Sequence, residues 1–380
     1  MKFWSSLGTL TRIGLIHQLD GTARRMNFYD SYSADLTQIA DRRRIGLWIH
    51  KKDFEIFDSE DNPIDIQVVQ PFTDPFRILR LNSETKIVLD MVDGYLADIP
   101  SVIIDYARYF LRSSKVPALI HPMRFSKSLR KICALADMVV VASNEQAELV
   151  KPFNGNVRII RDSHDELGQP LPIKEFSTSS NLNIFWEGLG FTLIHFEDVA
   201  NDLSEFLVST NSVLHLVANE FYPRFAGKFG KVKAKKEVKK IFGHAASRIM
   251  IHPWSEEMVS AIAAKCDFGI IPINQQNRFA QLKPENKLLI YWRLGLPTLF
   301  SDTPSYVRLA SDVGVTEYSV KSGEWSGKLL EISEARGCLS ENMPKAQEYL
   351  LRFHSENLIL EQWREALNSL KEQGQLRRSS

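Results

Sequence analysis

Short apolar runs alternate with longer amphipathic ones along most of the chain, and the alternation stops once and then restarts. In the first half, IGLIH (13–17), IGLWIH (45–50), IDIQVVQ (64–70), KIVLDMVD (86–93), MVVVAS (138–143) and NVRIIRD (156–162) predict strands. Between them, 99–114 and 126–136 carry apolar residues at helical spacing. Apolar strands separated by helices imply a mostly parallel sheet covered on both faces. From about 165 to 182 the pattern lapses into prolines and a cluster of serine, threonine and asparagine, which reads as an interdomain linker. It resumes with NIFWEG (183–188), VLHLVAN (213–219), RIMIHP (248–253), FGIIPI (268–273), PTLFSD (297–302) and a weaker VTEYSV (315–320), with helices predicted at 195–209 and 255–266. From Pro344 to about Glu372 the pattern is helical, with Leu360, Trp363, Leu367 and Leu370 lining one face.

A chain of 380 residues exceeds what one core usually organises. The expected fold class is therefore α/β, with two Rossmann-like doubly wound domains facing a cleft, at 1–168 and 169–343. Residues 344–380 are expected to form a C-terminal helix, packing back toward the first domain, and a tail. Lys and Arg number 47 against 46 Asp and Glu, so the net charge of +1 argues against nucleic acid as a partner. Cys133, Cys266 and Cys338 are too widely spaced for a metal or disulfide framework and read as reduced thiols. No apolar run approaches the ~20 residues that span a bilayer, and the opening segment reads as folded structure rather than a signal peptide. A cytoplasmic location is the expectation.

The stretch KPENKLLIYWRLGLP (283–297) lies between two predicted strands and reads as loop and helix. Pro284 suits a first helical position, Glu285 the positive end of the helix dipole, and Gly295 the left-handed stop. Lys283, Asn286 and Lys287 then share one face of the first turn, a seat for a phosphate beside unpaired backbone N–H groups. The same lysines also read as a solvated face with Asn286 as a cap. In EGLGFTL (187–193), Gly188 and Gly190 can be read as letting backbone N–H groups approach a diphosphate or as a tight strand-to-helix turn. Leu193 occupies the third glycine position of a dinucleotide fingerprint, which disfavours a dehydrogenase. Asp90, Asp93 and His121 in the first half, and Asp162 and His164 at the hinge, are candidate acid–base or structural groups.

The run KPENKLLIYWRLGLPTLFSDTPSY, with IIPI before it, resembles the donor domain of GT-B glycosyltransferases, most closely the retaining group 1 type that builds bacterial surface polysaccharides. Lys287, Tyr291, Gly295 and Pro297 match its Lys-x-x-x-Tyr-x-x-x-Gly-x-Pro pattern, and KIVLDMVDGYL and ICALADMVVVASNEQAEL resemble first-domain segments of the same enzymes. The resemblance implies a nucleotide-sugar donor with its diphosphate at Lys283, Asn286 and Lys287, a saccharide or lipid-linked acceptor against the first domain, and no metal or other cofactor. Asp93 and His121 become the acceptor-side catalytic candidates. Two departures stand out: Leu282 and Ile290 occupy the positions of the family's paired glutamates, and 183–200 holds His195 as its only basic residue. They keep open a non-catalytic nucleotide- or sugar-binding relative. The segment 222–240, with Arg224, seven lysines and Glu237 as its only acid, reads as a solvated loop and helix or as a contact with an anionic membrane surface.

Overall fold

The structure, a computed structural model, describes residues 3–5, 14–19, 22–27, 66–69, 71, 86–91, 93–97, 102–112, 122–161, 170–174, 181–225, 229–334, 338–355, 358–359, 361–363, 365–367 and 369–370. The chain divides into two compact units: Met1–His164 with Leu282–Pro284 and His354–Ser380, and Asp165–Gln281 with Glu285–Phe353.

In the first unit, strands β1 (Phe3–Ser5), β4 (Ile66–Val69), β5 (Lys86–Met91), β6 (Met138–Val141) and β7 (Val157–Ile159) form one parallel sheet in that order. Helices α1 (Val102–Arg112), α2 (Phe125–Leu135) and α3 (Asn144–Val150) connect its later strands. The run at 13–17 is a correction to the expected sheet. Strands β2 (Gly14–Leu19) and β3 (Thr22–Asn27) pair antiparallel with each other, Leu19 opposite Thr22. The strand predicted at 45–50 lies outside the described residues.

The second unit has a six-stranded, all-parallel sheet in the order β12-β9-β8-β13-β14-β15. Its strands are β8 (Asn183–Gly188), β9 (Val213–Ala218), β12 (Ile249–Pro253), β13 (Phe268–Ile271), β14 (Thr298–Ser301) and β15 (Ser319–Val320). Numbered from β8, this is the doubly wound order 3-2-1-4-5-6, whose direction of travel reverses between β8 and β13. Helices α4 (Ala200–Ser209), α5 (Ala234–Phe242), α6 (Glu256–Ala263), α7 (Asn286–Arg293), α8 (Pro304–Val313), α9 (Trp325–Glu334) and α10 (Met343–Phe353) belong to the unit, with single turns at Arg278–Gln281 and Cys338–Glu341. The predicted helix at 195–209 is two elements, a 3-10 turn Gly190–Phe196 and α4. A buried aromatic chain holds them, with Trp186 edge-on to Phe196 and Phe196 edge-on to Phe242 of α5.

The basic segment 222–240 is more ordered than a solvated loop. It contributes to an antiparallel ribbon, β10 (Phe221–Phe225) with β11 (Phe229–Lys233), and to α5. Helix α5 buries Ala234, Val238 and Phe242 and leaves Lys235, Lys236, Lys239 and Lys240 exposed, the three-and-four spacing of a one-sided helix.

Both sheets use one device to start their parallel pairing. Asp137, just before β6, accepts from the Ile87 backbone N–H (2.9 Å) and from the Lys86 ammonium (2.8 Å) at the head of β5. Asp267, just before β13, accepts from the Asn183 backbone N–H (2.6 Å) at the head of β8. In each sheet the aspartate before a strand is therefore a register lock, in which a carboxylate satisfies an N–H that the ladder leaves over.

Near the same end of the second sheet, His215 of β9 stacks on His252 of β12, with ring centroids 5.3 Å apart. His215 Nδ1 lies 3.1 Å from His252 Nε2, and its Nε2 lies 3.2 Å from Asn183 Oδ1. Burial, then the His252 and Lys265 charges, hold His215 below its ordinary 6.5, and burial, then Lys265, does the same for His252. Between that lowered value and 6.5 the unfolded chain binds more protons than the folded one. This contribution to stability is complete above 6.5 and declines as pH falls below it. Urea midpoints are expected to drop between about pH 7.5 and about pH 5.5, and to drop less in His252→Gln. Equal slopes in both proteins would contradict the assignment.

Candidate functional site

The switch point of the second sheet lies between β8 and β13, and in open α/β sheets ligands gather beyond the carboxyl ends of such strands. Strand β8 ends there in Trp186, Glu187 and Gly188. Helix α7 grips that end twice. The Tyr291 hydroxyl accepts from the Glu187 backbone N–H at 2.8 Å, and one turn earlier the Lys287 ammonium donates to the Glu187 carbonyl at 2.6 Å. Residues four apart share a helix face, so the Lys-x-x-x-Tyr spacing delivers both side chains to one peptide unit.

The neighbours of this clamp follow from steric clearance. Lys287 Nζ sits 4.5 Å from the Trp186 ring centroid, a cation–π contact. A Cβ on Gly188 would stand 2.8 Å from Lys287 Nζ and 2.9 Å from Trp186, so only glycine admits the ammonium there. Tyr291 is fully buried, packs edge-on against Phe185 at 5.1 Å, and lies where a Cβ on Gly269 would come within 2.4 Å. Burial, then the Glu187 charge, pushes its phenol well above the ordinary range, so it stays neutral. Tyr306 is pushed up in the same way by burial, then by Glu285 and Glu187.

Both ends of α7 are fastened. At the C-terminal end, the Leu296 N–H bonds to the Tyr291 carbonyl and the Gly295 N–H to the Trp292 carbonyl, both at 3.0 Å, with Gly295 at φ 70°. This is the Schellman stop that Gly295 was expected to supply. The former linker docks on it: the Leu171 N–H bonds to the Arg293 carbonyl at 2.8 Å and the Lys174 N–H to the Gly295 carbonyl at 3.0 Å. The N-terminal end differs from the expectation. Helix α7 begins at Asn286 with Glu285 as its N-cap residue, so Pro284 is not helical and Lys283 lies outside the first turn. The reason is the Glu285 carboxylate, only 1% exposed and bonded to Arg308 of α8 at 2.9 Å, which draws the residue out of the helix and into the core.

The structure thus gathers Gly188, Lys287 and, at the head of the same helix, half-buried Asn286. Gly190 lies in a tight turn after β8. It begins the 3-10 turn, and a Cβ there would stand 2.4 Å from the Tyr222 ring of the ribbon. Leu193, at the third glycine position, is fully buried core. Lys283 belongs to the Leu282–Pro284 segment of the first unit, where Leu282 packs over Gly94. Asp93 is half-buried in the turn after β5, and its carbonyl accepts from the Tyr95 N–H at 2.8 Å. His121, Asp162 and His164 lie outside the described residues. Asp90 is wholly buried within β5. A separate concavity of about 410 Å³ in the first unit is lined by Val102, Tyr106, Pro122, Met123, Arg124 and Lys127.

Glu187 and Trp254 were not singled out from sequence. Glu187 is 5% exposed, and its Oε2 accepts from the Trp254 indole N–H at 3.3 Å. The signal was the presence of an acid inside an otherwise apolar strand that ends in glycine.

Tyr291→Phe removes the partner of a buried backbone N–H, and a loss of about 1–3 kcal/mol in unfolding free energy is expected from urea titration. A loss below the error of the titration would show that the hydroxyl carries no such role.

No protein-family model matches the sequence, and no curated protein matches it. Solved structures do match. TarM of S. aureus aligns at 11% identity over 80% of this chain and 54% of its own, with a TM-score of 0.53. The pneumococcal O-GlcNAc transferase GtfA, solved with UDP and GlcNAc, aligns at 10% identity over 80% of this chain and 57% of its own, with a TM-score of 0.53. A UDP-forming trehalose-phosphate synthase from Burkholderia xenovorans aligns at 11% identity over 97% of this chain and 94% of its own, with a TM-score of 0.51. The chain spans little more than half the length of the first two and nearly all of the third. At such identity the likeness concerns fold, and the doubly wound order of the second sheet agrees with it. This chain has the GT-B glycosyltransferase fold.

Proposed function

We propose that this chain transfers a sugar from a nucleoside diphosphate sugar to a saccharide or lipid-linked acceptor. The observation that carries the reading is the Lys287 ammonium, fixed at the end of β8 over Gly188 and at the start of α7. In the transfer, the bond from the anomeric carbon to the diphosphate oxygen breaks and its electron pair leaves with the phosphate. A bond to the acceptor oxygen forms, and the acceptor hydroxyl loses its proton. The leaving diphosphate gains negative charge, which a fixed cation beside helix N–H groups stabilises without reorganising. Asn286 supplies a further donor, and Lys283 is assigned to the same diphosphate. Asp93 and His121 are assigned to the acceptor hydroxyl, to orient it or to take its proton. GtfA, one of the structural neighbours, is a transferase solved with UDP and GlcNAc, which supports a donor of this class.

The lipid-linked form of the acceptor is supported by the first unit. Its concavity sets Val102, Met123 and Tyr106 beside the cations of Arg124 and Lys127 in a mostly polar lining, which suits the phosphate of such an acceptor. Beside it, α1 exposes Val102, Ile103 and Ile104, with Ile103 81% exposed. Among the described residues no helix is long and apolar enough to cross a membrane, so such an acceptor would be met at a membrane surface. We assign this contact to a cytoplasmic protein working at the inner membrane face in surface polysaccharide synthesis, with the exposed lysines of 222–240 as a second anionic-surface contact.

A second reading, a binding protein without turnover, is favoured by one observation. Ile290, at a position where the resembled enzymes keep an acid, is 3% exposed and packed in the core. Nucleotide release from a panel of UDP-, GDP-, ADP- and CDP-sugars, with a polyprenyl phosphate-linked saccharide as acceptor, separates the two. Release dependent on acceptor supports the transferase; tight binding of a nucleotide sugar with no release supports the binding protein.

A further inference from the structure

The clamp engages only the backbone of Glu187, and its side chain has a separate environment. The carboxylate belongs to a residue 95% removed from solvent, and its two oxygens differ in what they meet. Oε2 accepts from the Trp254 indole at 3.3 Å, whereas Oε1 has no hydrogen-bond partner among the described residues. The surrounding groups do not remedy this. The Tyr291 hydroxyl accepts from the Glu187 N–H, and the Lys287 ammonium is turned to the Glu187 carbonyl. Oε1 is not among the fully buried atoms that lack a partner, so a carboxylate with one oxygen pinned and the other accessible stands one residue before the switch-point glycine, placed to accept from hydroxyl donors. Trp254, 38% exposed, offers an aromatic face beside it.

We propose that Glu187 Oε1 accepts hydrogen bonds from the ribose hydroxyls of the donor nucleotide, making Glu187 a specificity-determining residue. The assignment rests on the function proposed above. One peptide unit then serves both parts of the ligand, its carbonyl holding the lysine that meets the diphosphate and its side chain meeting the nucleoside. Carboxylates read vicinal hydroxyls in this manner in other doubly wound sheets. A carboxylate repels phosphate, so the residue favours ligands that carry a ribose over those that carry phosphate alone. Hydroxyls of the transferred sugar share the same chemistry, and the test separates them from ribose.

The experiment is calorimetric. The parent, Glu187→Gln and Trp254→Phe are titrated with whichever of UDP, GDP, ADP or CDP the parent binds, with its 2′,3′-dideoxy analogue, and with inorganic pyrophosphate. Thermal unfolding confirms that each variant is folded. The parent is expected to bind the ribonucleotide about tenfold or more tightly than the dideoxy analogue, the range for a hydrogen bond to a charged group. Glu187→Gln is expected to lose most of that ratio while binding pyrophosphate as well as the parent or better, and Trp254→Phe to lose part of it. A ratio retained in Glu187→Gln overturns the assignment alone. A parent that does not discriminate, with Glu187→Gln weakened only toward the complete nucleotide sugar, moves the contact to the transferred sugar and likewise overturns it. Failure of the parent to bind any of the four diphosphates overturns the proposed function and this assignment with it.

Discussion

The second unit depends on one peptide group held from both sides. The N–H and C=O of Glu187 lie at the end of β8, and Tyr291 and Lys287 of α7 take one each. Helix α7 is thereby fixed against the sheet by polar contacts at its front face, by the Phe185 contact beneath, by the Glu285–Arg308 pair at its head and by the Schellman stop at its tail. Each fastening is buried or nearly so, where a hydrogen bond left unmade costs more than one made contributes. The glycines follow from the same requirement. Gly188 clears the ammonium, Gly269 clears the phenol, and Gly295 turns the chain where a side chain would strike the Pro172 carbonyl at 2.2 Å.

This clamp ties the fold to chemistry. A lysine used only for solubility would extend into water, where its entropy is kept. Lys287 instead lies across Trp186 with its position set by a backbone carbonyl. The same contact that orders the side chain fixes its positive charge at the end of β8. Preorganisation of this kind is what makes a cation effective against a charge that develops during reaction. The second unit therefore presents a positive point at its switch point and, one residue earlier, a buried negative one.

Much of this was legible in the sequence because parallel strands buried on both faces read as unbroken apolar runs, as MVVV of β6 and FGII of β13 do. The Lys-x-x-x-Tyr-x-x-x-Gly-x-Pro run marked α7, and its Gly295 stop holds in the structure. The helix start was misjudged because a proline and an acid ahead of a helix resemble an ordinary first turn, whereas Glu285 is drawn inward by Arg308, twenty-three residues away in sequence. No local pattern encodes such a pairing. The β10-β11 ribbon was hidden by its lysines, which read as a charge run, and by Pro223, which demotes a strand unless it sits in a ribbon with a free edge. Glu187 was hidden by its neighbours, because the glycines around it drew the phosphate reading while the acid between strand and loop was passed over.

The central claim is that Lys287 seats a diphosphate, and isothermal titration of the parent and of Lys287→Ala with UDP, GDP, ADP and CDP tests it most directly. The parent is predicted to bind at least one of these, and the variant, still folded by circular dichroism, to bind it about tenfold to a hundredfold more weakly, as befits the loss of a charge-assisted hydrogen bond. Equal affinity in the two proteins would contradict it.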